Sequence, residues 1–330
     1  MTMSPLPPLV FLHLLADRKL KPGAVLLDAG DDGADALLDL AAFPDFAAFA
    51  ARFPCFIGAE AANRLPPAVL QALQDAGCGV LAAERCHHAD DAGKPQLPEE
   101  ALWLAGNWFL TPPAKPAGSQ AASRAQALKL VQLVSADAET REIEEIFRQD
   151  PTLSYHLLRL VNSLGVGTGK RISSFSQAIL MLGRQQLRRW LNLMLFAARK
   201  DDHRAAMLLA RVAIRARSME LLARDSGLDR TGQELAFMAG MFSLLGVLFG
   251  MPLAEVFKPL QVSEALVTAV LQHQGDIGRL LQTVECAEQG DAARLAGLLA
   301  ELQLTAGQFN RLGIEACQWM LGLIHEAEHG

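Results

Sequence analysis

The sequence predicts an α+β chain of two unlike parts, a small N-terminal α/β layer followed by an all-helical domain. Three observations carry this. Before residue 111, short apolar runs alternate with helix-like segments, the pattern of a mainly parallel sheet with covering helices. Thr111-Pro112-Pro113-Ala114-Lys115-Pro116-Ala117-Gly118-Ser119 then has the composition of a linker. Beyond it no segment reads as a strand, and helical segments follow one another to the end of the chain. The domains expected are 1–113, a linker at 114–122, and 123–330. A chain of 330 residues is long enough to give each part a core.

In the first part, Val25-Leu26-Leu27, Cys55-Phe56-Ile57-Gly58 and Gly79-Val80-Leu81-Ala82 are candidate strands. Trp103-Leu104 or Trp108-Phe109-Leu110 marks a fourth. Helices are expected near 34–42, 45–52 and 67–76. In the second part they are expected near 123–135, 138–149, 151–163, 174–182, 184–199, 203–225, 232–250, 263–273, 276–288, 291–303 and 305–326.

The helix expected at 151–163 is the best marked. Asp150 is placed as its N-cap and Pro151 as its first residue. Leu153, Leu157, Leu160, Val161 and Leu164 make one apolar stripe. Asn162 and Ser163 close it, either capping the helix or lining a cleft. Gly165, Gly167 and Gly169 form a loop that lacks the context of a phosphate-binding motif. Ser173 or Ser174 caps the next helix, which ends near Gly183, and Arg184 opens a third.

That order of parts, with Leu157–Ser163 reading LLRLVNS, then I-S-S, then A-I-x-x-L-G, resembles the HDOD family. The resemblance implies an all-helical signal-output relative of the HD phosphohydrolases without their metal-binding residues. HD hydrolases carry an adjacent His-Asp pair in a line written roughly G-L-L-H-D-I-G. The matching line here is Gly240-Met241-Phe242-Ser243-Leu244-Leu245-Gly246, so Ser243 and Leu244 stand at the degenerate HD positions. Residues 209–223, where the upstream histidine would lie, contain none. Ser and Leu cannot replace metal ligands, so no catalytic residue, metal or cofactor is expected.

The first part bears shorter likenesses. Ala105-Gly106-Asn107-Trp108-Phe109-Leu110-Thr111-Pro112 resembles the closing line of EAL domains, the fold of cyclic-di-GMP phosphodiesterases, and Ala82-Ala83-Glu84 resembles a late element of the same family. No Glu-Ala-Leu motif occurs there, and a complete (β/α)₈ barrel needs about 200 residues or more. The resemblance therefore implies a truncated, degenerate EAL-like domain, a partial barrel, with cyclic-di-GMP not expected as a ligand. Asp28, Asp31, Asp32 and Asp35 read as a solvated loop and helix start.

Charge is unevenly placed. Residues 1–118 hold 8 Lys/Arg against 14 Asp/Glu, while residues 170–217 hold 11 against 2. That basic segment is either a partner surface or a helix face balanced by the acidic C-terminal half. Within it Arg184, Arg188 and Arg189 share a helix face beside Trp190, which is core or interface anchor. With Asn162 and Ser163 these are the candidate partner-binding residues. Cys78, Cys86, His87 and His88 do not match zinc spacings, and His273 and His156 stand alone.

The five scattered cysteines favour reduced thiols in a cytoplasm. No run of 18 apolar residues and no secretory pattern at Met1-Thr2-Met3-Ser4-Pro5 is seen, so no membrane partner is expected. The reading that follows is a non-enzymatic regulatory protein whose helical domain binds a protein of a signalling pathway. The alternatives are an HD-type phosphohydrolase acting on a nucleotide second messenger, or a nucleic-acid-binding regulator working through 170–217, nucleic acid being the less expected partner.

Overall fold

A computed structural model describes residues 8–30, 33–90, 94–111, 202–260 and 262–329, with single positions at 132, 189, 192 and 193, and of 324–329 the backbone only. The first part holds a six-stranded sheet, and the second is helical.

β1 (Phe11–Ala16) and β2 (Pro22–Asp28) form an antiparallel hairpin. Its turn is tied by the Asp17 carboxylate, which accepts the backbone N–H groups of Lys19 at 2.8 Å and Lys21 at 2.9 Å. β2 pairs in parallel with β3 (Cys55–Gly58), and β3 with β4 (Cys78–Leu81). On the other side β1 pairs antiparallel with β6 (Trp103–Ala105), which runs parallel to β5 (Cys86–His88). The order is β4-β3-β2-β1-β6-β5. Four helices cover one face: α1 (Ala34–Ala41), α2 (Pro44–Ala50), α3 (Ala59–Arg64) and α4 (Pro67–Asp75).

Alternation along the strands builds two apolar layers. Leu14, Val25, Leu27, Cys55 and Ile57 belong to the main core with Leu37, Phe46, Phe49 and Leu73 from the helices. The opposite face carries Leu15, Ala24 and Leu81, with Leu26, Phe56, Cys86 and Trp103 packed on them. Phe56 on β3 and Trp103 on β6 lie 5.7 Å apart although β2 and β1 separate their strands. The sheet is therefore curled into a half-barrel whose concave side is filled by its own side chains. Trp103 lies directly over Gly23, where a Cβ would stand 2.6 Å from the indole ring.

Two strands and one helix depart from expectation. Phe11–Ala16 is a strand that the apolar run FLHLLA did not distinguish from other buried segments. Cys86–His88, not among the expected strands, pairs with β6. Trp103–Ala105 is the last strand, whereas Trp108–Leu110 is a 3₁₀ turn with Trp108 and Phe109 fully buried. Ala59–Arg64 is an additional short helix.

The helical part is organised around α5 (Ala205–Asp225), buried on most of its circumference by Met207, Leu208, Val212, Ala216, Met219 and Leu222. α6 (Arg230–Phe242) crosses it, and α7 (Leu245–Phe249), α8 (Leu253–Phe257) and α9 (Glu264–Gln272) follow. α10 (Gly275–Gln289), α11 (Ala292–Glu301) and α12 (Ala306–His329) complete the region. Asp229, Ser263 and Asp291 cap α6, α9 and α11 through their side chains. The single helix expected at 232–250 is broken at Ser243, whose Oγ donates to the Gly240 carbonyl at 2.7 Å. The stretch Arg230–Phe249 is long and apolar enough to cross a membrane by length and composition only, and 61% of that window is buried inside the protein. The helices expected between 123 and 199 lie outside the described residues, single positions apart.

α6 approaches α5 closely at Gly240. A Cβ there would stand 2.6 Å from the Ala216 Cα and 2.9 Å from its N, both backbone atoms that cannot rotate away. Gly240→Ala is therefore expected to force the helices apart at a cost of about 1–3 kcal/mol, read as a lowered denaturation midpoint.

The two parts share one core. The Asn310 side chain accepts the Val10 N–H at 3.0 Å and donates to the Pro8 carbonyl at 3.1 Å. Arg204, at the start of α5, donates to the carbonyls of Phe109 and Thr111, and His203 stacks on Trp108 with centroids 6.0 Å apart. Arg311 lies over the Phe43 ring at 5.3 Å.

Candidate functional site

Ser243 and Leu244 lie at a cluster of charge inside the helical part. Arg211 and Arg215 are one turn apart on α5, and Glu285 and Glu288 nearly one turn apart on α10. Each pair therefore projects on one face of its helix. Arg215 reaches Glu288 through Nε at 2.9 Å and through Nη2, and donates from Nη1 to Ser243 Oγ at 2.8 Å. Glu285 lies 3.5 Å from the same Nη1. Arg211 stands 3.6 Å from Glu288, with its guanidinium 5.6 Å from the Phe109 ring of the sheet domain. Its buried Nε makes no hydrogen bond among the described residues.

Burial works against ionisation of Glu288, but the guanidinium groups of Arg215 and Arg211 outweigh it and hold the carboxyl below the usual glutamate range. Glu285 also takes the His273 Nε2 at 2.8 Å. His273 lies in the left-handed region, φ 54°, at the C-cap of α9, where the chain turns straight into α10. His273, alone in the sequence, thus joins Glu285, Arg215, Glu288, Arg211 and Ser243 in one network, buried at the arginines and partly open to solvent at His273 and Glu285. Leu244 is buried beside it.

A divalent cation of the HD kind does not fit at Ser243 and Leu244. The one oxygen there is the Ser243 hydroxyl, and a guanidinium already donates to it. Among the described residues no three His, Cys, Asp or Glu side chains converge on a metal position.

Of the other sequence candidates, Asn162, Ser163, Arg184, Arg188 and Trp190 lie outside the described residues. Arg189 is described, and as a candidate partner-binding residue it is turned into the fold rather than out of it. Its side chain is 13% exposed, bonded to Glu220 at 2.8 Å and to Glu234, and its guanidinium lies 4.3 Å over Phe237. All five described arginines of the basic segment, at 189, 204, 211, 215 and 217, are within 4 Å of a carboxylate. Their charge is largely compensated inside the fold.

The cysteines are free thiols. Burial pushes Cys78 and Cys317 up to about 12 and raises Cys55 further, so these three stay protonated at neutral pH. Cys78 is on β4, and Cys86, His87 and His88 are on β5 at the far edge of the sheet order. At the C-terminal end of β2, Asp28 faces His13 at 3.8 Å. The imidazole, with the Gly30 N–H at 3.0 Å, holds that carboxyl below the usual aspartate range despite partial burial.

Comparison with known proteins places an HDOD domain at residues 123–265. The chain is 30% identical over 177 residues to the cyclic di-GMP phosphodiesterase CdgJ of Vibrio cholerae, a match covering 54% of this chain and 40% of that protein. It is 27% identical over 197 residues to the uncharacterized protein YuxH of Bacillus subtilis, covering 59% of this chain and 47% of that protein. The matches thus span less than half the length of either curated relative. A candidate phosphohydrolase of Shewanella amazonensis superposes with a TM-score of 0.40 at 16% identity, covering 59% of this chain and 93% of that one. The MmoQ response regulator of Methylococcus capsulatus gives 0.25 at 17% identity, covering 60% and 97%. Both superpositions are too loose to carry an argument.

The relative from Vibrio corrects three expectations. A non-enzymatic protein-interaction module, a chain without enzymatic activity, and a chain with no relation to cyclic-di-GMP are each at odds with a matching relative that is named a cyclic di-GMP phosphodiesterase. Ser243 and Leu244 bear on one metal site and do not exclude other chemistry.

Proposed function

From the HDOD domain that this chain carries at residues 123–265, we propose that it acts in nucleotide second-messenger signalling as a phosphohydrolase-type protein whose substrate is of the cyclic-di-GMP class. The observation that carries this reading is the 30% identity over 177 residues to a cyclic di-GMP phosphodiesterase. The curled N-terminal sheet is read, in the same proposal, as a reduced EAL-like half-barrel. The short likenesses at Ala82-Ala83-Glu84 and 105–112 support that reading.

The chemistry asked of the chain is hydrolysis of a phosphodiester, in which a water oxygen bonds to phosphorus as the ribose oxygen leaves with a proton, and it needs an anion site and a proton carrier. Arg215 is held by Glu288 and Glu285, while Arg211, 3.6 Å from Glu288, keeps a buried Nε donor that is not used among the described residues and is the group suited to an anion. His273, oriented by Glu285, is the group suited to pass a proton to the leaving oxygen. No step is derived through a metal, since the described residues do not fit one at Ser243 and Leu244.

The test is incubation of the purified protein with cyclic di-GMP and separation of the products by anion-exchange chromatography. The linear dinucleotide is expected to form, and His273→Ala is expected to slow it by about 10²–10⁴-fold, the usual contribution of a positioned acid or base. No product and no calorimetric binding of cyclic di-GMP would sink the reading. Wild-type turnover unaffected in His273→Ala would move the chemistry away from this cluster.

A further inference from the structure

At the end of the sheet opposite Asp28, a cavity of about 300 Å³ opens where the sheet meets the helical part. Its walls come from three places: the β1–β2 turn with Arg18, Lys19 and Leu20, the segment before β6 with Lys94 and Gln96, and His203 just ahead of α5. Most of the exposed lining is polar, and three of the residues are cations that carry no ion pair among the described residues. This contrasts with the basic segment, where every described arginine has a carboxylate.

The turn is built to hold these charges together. Leu20 is a non-glycine residue at φ 61°, yet it is buried, and Asp17 spends its carboxylate on the N–H groups of Lys19 and Lys21. Such a conformation persists only where its surroundings fix it. Arg18 is anchored through one nitrogen, Nη1, to the carbonyls of Pro98 at 2.9 Å, Glu99 at 3.2 Å and Ala101 at 2.5 Å. Its remaining donors make no hydrogen bond among the described residues. The nearby carboxylate of Asp202 is occupied by Arg204, with Nε at 3.0 Å and Nη2 at 2.7 Å. Three cations around a concave polar surface outnumber the one carboxylate of the turn, Asp17, so the local potential is positive and a small anion relieves it.

We propose that this cavity is a binding site for a phosphate-bearing small anion, held by Arg18, Lys19 and Lys94 and closed on the helical side by His203. The shared chemistry is a phosphate or diphosphate group, either free or carried by a nucleotide. Because the ligand would touch both the sheet and the start of α5, it would stiffen the junction between the two parts. The site is separate from the Arg215 cluster, so it stands or falls independently of the hydrolase reading.

The probes are inorganic pyrophosphate, inorganic phosphate and GDP, titrated calorimetrically into the full chain, with thermal unfolding in parallel. Saturable binding with a raised melting temperature is expected. In Lys19→Ala/Lys94→Ala, both exposed and outside any contact that holds the fold, affinity should fall at least about tenfold, what one lost charge-assisted hydrogen bond gives. The melting temperature without ligand should not change. Lys258→Ala, which removes an exposed lysine on α8's C-terminal side, should bind as the wild type. GDP binding more tightly than pyrophosphate would assign a nucleotide, and equal affinities a bare diphosphate. No binding of any probe, or equal binding by the double variant, overturns the proposal.

Discussion

Glu288→Ala is expected to destabilise the protein by about 3–5 kcal/mol, because it strands a buried guanidinium rather than merely deleting a contact. Arg215 is 5% exposed and directs Nε and Nη2 at Glu288, and Arg211 leans on the same carboxylate. The double variant Arg215→Met/Glu288→Leu removes charge from both sides, and is expected to recover most of the loss. Urea denaturation midpoints for the two variants check this. Acid supplies an independent check. Glu288 has a folded-state pKa below its unfolded value, so its contribution is fully present above the ordinary glutamate range, about 4.3. It is lost as the pH falls through the lowered folded value. The acid-denaturation curve of Glu288→Gln should therefore be shallower than that of the wild type.

Trp108→Ala is expected to cost about 3–5 kcal/mol and to loosen the junction between sheet and helices. Trp108 has no exposed surface, meets Phe109 edge-on at 5.6 Å, and stacks on His203. Its indole N–H is buried with no hydrogen-bond partner among the described residues. Trp108→Phe gives up that unsatisfied donor while keeping most of the apolar volume, and should cost much less than the alanine change. Faster hydrogen exchange around Phe109 and Arg204 in Trp108→Ala, with exchange in α10 near wild type, would locate the damage at the junction. Equal costs for Phe and Ala would show that ring packing is not what holds it.

How far these features were legible in the sequence depends on whether the information is local. Cys55–Gly58 stands between turn residues, β2 holds a short apolar run after Pro22-Gly23, and β4 follows Gly77, so their places were readable. β1 was not, because its period-2 pattern is blurred by burial on both faces: Leu14 packs toward the helices and Leu15 into the concave side. β5 was missed because histidines are poor strand markers. The Arg215 cluster depends on residues far apart in sequence, 73 positions for Arg215 and Glu288. That residues 243 and 244 are Ser and Leu was visible, but not that the Ser243 hydroxyl takes a guanidinium donor. A signal was present in part. Arg211 and Arg215 lie on a helix otherwise packed with Ala, Leu, Met and Val, and cations spaced at i and i+4 on such a helix need buried partners. Arg189 was misplaced for the related reason that spacing says which residues share a face, not which way that face points.

The curl of the N-terminal sheet bears on how the protein behaves at high concentration. An open sheet ends in rows of unpaired N–H and C=O groups that can recruit another chain. Here the two outermost strands have only four and three residues, and the stretch from Leu81 to Cys86 brings them around toward each other, with both residues packed in the same apolar cluster. What remains is a short, strongly bent template that a flat strand from a neighbouring molecule cannot follow. The sheet thus guards against edge-to-edge polymerisation by shape, without relying on lysines or prolines along its rims.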